Sequence, residues 1–387
     1  MKIVISILGS TGSIGTTTLK IIKKKRVSFL INTLSANSNY NIICSQIKEF
    51  NPKNFVIKNV TIFKKVKAKF KNKRVKILND YNKLNNYKKK NDITVSAVPG
   101  IAGLEPTLKF IKSSKKMLLA NKESIICGWN LIKSLSRKNK TILVPIDSEH
   151  FSIKKILDKH NYKDIKKIYI TASGGPFLNL PIKYFKNIKP INAIRHPKWK
   201  MGKKISVDSA TLMNKILELI EAHKLFNFDY NKYKIIIHPQ SLVHAIVKLK
   251  NGLTEFLYHE PDMIIPIANA IFDSKVDIDN FYKTNKINEE INKLEFYPVN
   301  AKRFPVIKLI PKMNKFISTP IIINAANEIL IDNFLKRKIS FNSISNYLFA
   351  VLRDKDYKKY AIQKPNNLKS IYKIDSWSRK TTLNLIT

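Results

Sequence analysis

The chain has 387 residues, 44% of them hydrophobic, and a formal net charge of +44. That length supports two or three domains with a sizeable core, and two cysteines, Cys44 and Cys127, exclude a disulfide framework or a zinc site. The charge invites nucleic acid; yet lysines are scattered through every segment, as in KKVKAKFKNKRVK (64–76), without interleaved stacking aromatics, so no nucleic-acid partner is expected.

At the N-terminus, MKIVISIL is too short an apolar run for a signal peptide. No later stretch approaches membrane-spanning length. A cytoplasmic protein with reduced thiols, no transit segment and no membrane partner is the expectation. Apolar runs at 3–8, 29–34, 54–58, 75–78, 93–98, 116–120 and 141–146 read as strands. Helix-period segments at 14–25, 41–50, 104–113 and 123–137 lie between several of them. This alternation predicts an α/β fold that begins with a Rossmann-like, doubly wound parallel sheet over 1–147.

The first turn, LGSTGSIG, uses Gly9, Gly12 and Gly15 from a chain with only ten glycines, where roughly 27 would be average. It follows a strand and opens a helix, so the amides of Thr11, Gly12, Ser13 and Ile14 are placed to receive a pyrophosphate. The spacing is GxxGxxG, and a tight strand–helix turn without ligand is the alternative. After the second strand, LSANSN carries no acid of the kind that meets a ribose 2′-hydroxyl. Asn37, Ser38 and Asn39 can instead donate to a 2′-phosphate, which favours NADP(H) over NAD(H).

Further on, LLANKES ends a strand with Asn121, Lys122 and Glu123, ready to cap a helix or meet a ligand. In VPIDSEH an apolar run stops at Asp147, Ser148 and Glu149. Two carboxylates two residues apart in an extended segment face one way and can share a hard cation, Mg²⁺ or Mn²⁺. A helix cap is the competing reading of the same residues.

Past residue 150 the pattern becomes α+β. A strand at 168–171 runs into TASGGPF, a candidate phosphate or oxyanion loop. RHPKWKMGKK, with Trp199 and Met201, is a plausible lid. One long helix is predicted over 209–226, where Asn214 and Lys215 lie four and three residues before Glu218, a third metal-ligand candidate. Ion pairing at the surface would explain the lysine and glutamate equally well. Strands follow at 233–237, 242–249 and 253–258, the last two joined through Asn251-Gly252 as a hairpin. The expected division is a cofactor domain over 1–147, a catalytic domain over 148–275, a polar connector over 276–310 and a helical C-terminal domain over 311–387, with helices at 320–335, 340–353 and around 376–385.

In their order along the chain, LGSTGSIG, LLANKES, PIDSEH, GGPF, HPKWKMGKKISVDSATLMNK, IHPQSLVHA, EPDM and NAANE resemble the landmarks of the 1-deoxy-D-xylulose 5-phosphate reductoisomerase family. The resemblance implies rearrangement of 1-deoxy-D-xylulose 5-phosphate and its reduction to 2-C-methyl-D-erythritol 4-phosphate, dependent on NADPH and on Mg²⁺ or Mn²⁺, in isoprenoid precursor synthesis. By the same resemblance Asp147, Glu149 and Glu218 hold the metal, and Lys122, Ser148 and Glu149 meet the carbonyl and hydroxyl end of the sugar phosphate. Ser173, His196, Ser209, Asn214 and Lys215 hold the substrate, mostly at its phosphate. Thr11 to Ile14, the Asn37–Asn39 turn, Asn121, Glu123 and Gly202 contact NADPH, Trp199 and Met201 form the lid, and the enzyme is a homodimer. Two departures stand out: the family usually has Gly and Lys where Asn37 and Ser38 stand, and a small residue where Ile216 stands. The rival reading is an NADP-dependent dehydrogenase of another phosphorylated metabolite, without carbon rearrangement.

Overall fold

The computed structural model describes residues 2–84, 91–196, 199, 202–281 and 293–387; Met201 lies outside them. Two compact units make up the chain: Met1–Ser124 with Asn130–Asp147 and Met263–Thr284, and Ile125–Trp129 with Ser148–Asp262 and Asn285–Thr387.

Among the described residues seven strands build the first unit: β1 (Ile3–Leu8), β2 (Phe29–Ala36), β3 (Asn54–Ile57), β4 (Lys76–Leu78), β5 (Asn91–Ser96), β6 (Ser114–Leu119) and β7 (Ile142–Pro145). They pair in parallel in the order β4-β3-β2-β1-β5-β6-β7, so the expected doubly wound sheet is present. Ile5 and Ile7 of β1 and Val95 of β5 are fully buried, as parallel strands covered on both faces require. Strand order reverses between β1 and β5, and the crevice beyond their carboxyl ends is where such sheets bind ligands. The Ser13–Lys24 helix contributes Leu19, Ile21 and Ile22 to this core, and Ile267 and Ile271 of the Ile264–Ile271 helix join it. A helix at Val60–Lys69 overlaps the lysine-rich stretch 64–76, whose sequence shows only scattered charge. Asn59 caps it, accepting from the Ile62 amide at 3.0 Å, and Val66 is its one buried residue.

In the second unit β8 (Ile165–Ala172), β9 (Tyr233–Ile237), β10 (Val243–Leu249), β11 (Thr254–Tyr258) and β12 (Tyr297–Pro298) form a sheet in the order β11-β10-β8-β9-β12. β8 runs parallel to β9 and antiparallel to β10, and the β10–β11 hairpin turns at Gly252, φ 95°. Helices Thr319–Leu335, Phe341–Val351 and Leu368–Ile386 pack together at the C-terminus. The last opens with a capping box on Asn367 and Ser370, well before the expected 376.

The single helix expected over 209–226 is in fact two, Lys203–Ala210 and Met213–Phe226. Leu212 breaks them with φ 65° while its side chain is only 1% exposed. A left-handed leucine costs roughly 1–2 kcal/mol, and burial of its side chain offsets that. Residue-period patterns cannot reveal such a break, because the apolar spacing on its two sides is compatible with one helix.

The glycine turn shows which glycines the fold itself requires. A Cβ on Gly15 would press into the Gly9 carbonyl and the Ser10 backbone, whereas the nearest atom to one on Gly12 is 3.5 Å away. Gly15→Ala is therefore predicted to lower the unfolding free energy by about 1–3 kcal/mol. Gly12→Ala should stay within about 0.5 kcal/mol of the parent. Urea denaturation of the ligand-free protein measures both.

Candidate active site

In the first unit, Gly12 begins the Ser13–Lys24 helix, and no side chain caps it. The Gly12 N–H donates to the Gly9 carbonyl at 3.2 Å. Thr11, Ser13 and Ile14 supply the other amides of this end, where the helix dipole favours an anion. Beyond β2, Asn37 and Ser38 are exposed, while the Asn39 amide oxygen caps the next helix by accepting from Ile42 N–H at 3.2 Å. Asn121 is buried and structural in its contacts. Its amide donates to the Val98 and Gly100 carbonyls, the latter at 3.0 Å, and its oxygen accepts from Ser124 N–H at the start of the Lys122–Asn139 helix. Glu123 is 8% exposed in the same first turn. The Lys122 ammonium pairs with Asp147, both side chains less than a fifth exposed.

In the second unit the Ser148–Leu157 helix begins directly after Asp147, so Ser148 and Glu149 occupy a first helical turn. The extended geometry assumed for DSE does not hold, because the helix begins directly after Asp147. The Ser148 hydroxyl donates to Glu149 at 2.6 Å. On the Met213–Phe226 helix, Lys215 pairs with Glu149 and, at 2.7 Å, with Glu218. Asn214 donates to the other Glu218 oxygen at 2.5 Å. Both helical spacings thus work as expected, in a buried setting and not at the surface. Glu149 and Glu218 present carboxylate oxygens within 4.8 Å of each other, and Glu218 is 1% exposed. A buried pair of hard oxygen donors, already drawing an ammonium between them, fits Mg²⁺ or Mn²⁺. Asp147 precedes Ser148 directly in the chain and belongs to the first unit. His150, not singled out from sequence, is fully buried and sits 2.8 Å from the Glu218 carbonyl. Since that oxygen only accepts, Nε2 carries the proton, and the bond ties one site helix to the other.

Around the phosphate loop, Ser173 Oγ lies 3.0 Å from His196 Nε2. His196 Nδ1 accepts from Trp199 N–H at 2.9 Å, which assigns the imidazole proton to Nε2. Burial first, and then the Lys215 charge, push the His196 pKa down to about 4. It is a neutral donor at physiological pH. Gly175, φ 68°, leaves no room for a Cβ, which would meet the Ser209 carbonyl and Ala210 Cα at 2.9 Å. The loop that carries Ser173 is therefore seated directly on the end of the helix that carries Ser209. Gly202 begins that helix without a side-chain cap. Trp199 stands edge-on to His244, which stacks at 3.7 Å on His259. The only sequence hint of this pair was one histidine in IHPQSLVHA and another before EPDM.

Family models described as 1-deoxy-D-xylulose 5-phosphate reductoisomerase, its C-terminal domain, and the DXP reductoisomerase C-terminal domain match residues 5–128, 143–226 and 259–381. A 1-deoxy-D-xylulose 5-phosphate reductoisomerase of Pelagibacter ubique is 45% identical over 96% of this chain and 97% of its own length. One from Wolbachia of Drosophila simulans is 40% identical over 97% and 95%. Among solved structures, the Zymomonas mobilis reductoisomerase in complex with NADPH superposes with TM-score 0.89 at 31% identity, covering 100% of this chain and 99% of that one. DOX-P reductoisomerase in complex with NADPH, fosmidomycin and magnesium gives 0.91 at 32% identity, over 99% and 98%.

The depressed His196 pKa has a definite sign. Its folded value lies below the unfolded one of about 6.5, so its contribution to stability is fully present above pH 6.5 and is lost as pH falls toward 4. In an NMR titration the His196 ring should remain neutral at pH 5.5, and His196→Gln should reduce the loss of stability between pH 6.5 and 4.5. A ring that titrates near pH 6.5 contradicts the assignment.

Proposed function

The chain belongs to the 1-deoxy-D-xylulose 5-phosphate reductoisomerase family, and on that premise we infer that it converts 1-deoxy-D-xylulose 5-phosphate to 2-C-methyl-D-erythritol 4-phosphate, using NADPH and a divalent metal. The observation that carries the reading of the site is the buried Glu149–Lys215–Glu218 cluster, on the same unit as the neutral Ser173–His196 pair. Asp147, Glu149 and Glu218 are the proposed ligands of Mg²⁺ or Mn²⁺. When bound, the ion supplies Lewis-acid polarisation of the substrate's carbonyl and adjacent hydroxyl, and NADPH supplies the hydride.

The chain's own residues have separate tasks. Asn214 and Lys215 orient the two glutamates, and Lys122 orients Asp147. Ser148 and Lys122 meet the oxygens of the reacting end. At the other end Ser173, His196, Ser209, Asn214 and Lys215 hold the phosphate, with neutral His196 donating from Nε2. Binding energy at the phosphate, remote from the reacting carbons, orients the substrate. Trp199 and Met201 belong to the lid that excludes water. Thr11, Gly12, Ser13, Ile14, Asn37, Ser38, Asn39, Asn121, Glu123 and Gly202 are assigned to NADPH, Asn121 by fixing the Val98–Gly100 loop.

A homodimer is proposed on the family's precedent, and the sheet edge supports it: β11 is an edge strand with Phe256 55% exposed, and Leu253 directly before it is 63% exposed. Two buried cysteines, neither in a disulfide, suit a reducing, cytoplasmic location, and no helix among the described residues is long and apolar enough to cross a membrane. The functional division remains cofactor binding in 1–147, catalysis in 148–275, a connector at 276–310 and a helical region at 311–387. Met263–Thr284 nonetheless packs with the first unit.

NADPH oxidation with 1-deoxy-D-xylulose 5-phosphate, with and without Mg²⁺ or Mn²⁺, tests the reading. Metal-dependent formation of the branched product is expected; metal-independent hydride transfer without rearrangement would favour a plain dehydrogenase. Glu218→Gln should lower turnover by on the order of 10²-fold or more, because Lewis-acid stabilisation contributes several kcal/mol. NADPH affinity, read by fluorescence, should be unchanged. Ser38→Lys should widen the preference for NADPH over NADH, since a charge-assisted phosphate contact is about twice as strong as a neutral one; equal kcat/KM ratios in variant and parent contradict this.

A further inference from the structure

We propose that Asp208 and Asn327 are positioning residues for the phosphate end of the substrate, a proposal that rests on the reading of Ser173, Ser209, Asn214 and Lys215 as the phosphate site. The Lys203–Ala210 helix has only eight residues and is cut off from the next helix by left-handed Leu212. So short a helix has little stability of its own and takes its place from tertiary contacts. Asp208 provides one: its carboxylate is 2% exposed and accepts from Asn327 Nδ2 at 2.6 Å, a buried, charge-assisted bond. Asn327 lies on the Thr319–Leu335 helix.

A second line of charges reinforces the first. Lys204, one turn before Asp208, is 3.7 Å from that carboxylate and 3.8 Å from Glu328. Arg379 of the Leu368–Ile386 helix holds Glu328 at 2.5 Å and Asp375 at 2.7 Å. The C-terminal helices thus grip the short helix at Asp208. The next two residues, Ser209 and Ala210, have their backbone pressed against Gly175 in the loop that carries Ser173. A helix clamped on one contact and seated without slack on another fixes the separation of Ser173 from Ser209. The C-terminal helices then set phosphate affinity through a residue that does not itself touch the substrate.

Exchange of donor and acceptor provides the test. Asn327→Leu and Asp208→Asn are measured singly, and the double variant Asp208→Asn with Asn327→Asp restores an amide–carboxylate pair in reverse. Each single variant should raise KM for the sugar phosphate and Ki for competing inorganic phosphate about tenfold, the scale of one lost charge-assisted bond. In these variants kcat should stay within about twofold and NADPH affinity should be unchanged. The exchanged pair should bring KM and Ki back to within about threefold of the parent. Folded single variants with lower Tm but unchanged KM and Ki overturn the proposal, as does an exchanged pair that regains Tm without regaining phosphate affinity. Should the single variants fail to fold, the exchanged pair decides by the same criterion. Ser209→Ala separates the two readings: if it leaves Ki for phosphate unchanged the phosphate site itself is misplaced, and if it raises Ki while Asn327 and Asp208 do not, only the positioning role fails.

Discussion

Lys215 between Glu149 and Glu218 is the interaction on which the rest of the second unit's chemistry depends. Taking even one of these charges out of water costs several kcal/mol unless it is paired and hydrogen-bonded. Two helices meet that requirement together. Asn214 and Lys215 reach Glu218 from one turn away, and Lys215 also reaches across to Glu149 in the first turn of another helix. A cluster with two carboxylates and one ammonium keeps a negative excess in a buried place, which is the condition for holding a hard divalent ion. Burial, and after it the same ammonium, depress the pKa of His196, so the ring beside Ser173 remains neutral, with its donor orientation set by Trp199 N–H.

Helix starts differ in how their first amides are satisfied. Asn39, Asn59, Asn121, Ser340 and Asn367 cap their helices with side chains. By contrast, the helices that open at Gly12 and Gly202 have no side-chain cap. Those are the helices that follow the glycine turn and the segment proposed as a lid. A side-chain cap satisfies a helix amide permanently, whereas a glycine leaves the dipole's positive end to whatever binds.

Much of this was legible in the sequence because it rests on local pattern. Seven apolar runs became seven parallel strands, and the three scarce glycines marked a turn at the sheet's switch point. The i+3 and i+4 spacing around Glu218 correctly placed its two neighbours. What escaped depends on tertiary contact. The helix at Val60–Lys69 was hidden because lysines fill its solvent face and only Val66 is buried. No periodicity marks the break at Leu212, since burial of that side chain is what stabilises a disfavoured backbone. DSE read as extended because the preceding run was a strand, yet the chain enters a helix at Ser148. Asn327 and Asp208 are 119 residues apart in sequence, and nothing local links them.

The most direct measurement of the central claim is Mn²⁺ binding followed by electron paramagnetic resonance, in the parent chain, Glu149→Gln and Lys215→Met. The parent should bind one equivalent of Mn²⁺ per chain. Glu149→Gln should weaken that site by at least about tenfold, because the hard-oxygen set loses a charged ligand. Lys215→Met should bind Mn²⁺ more tightly, because the carboxylates lose the ammonium that competes for them. One equivalent bound with unchanged affinity in Glu149→Gln, or weaker binding in folded Lys215→Met, would contradict a cation site built from this buried cluster.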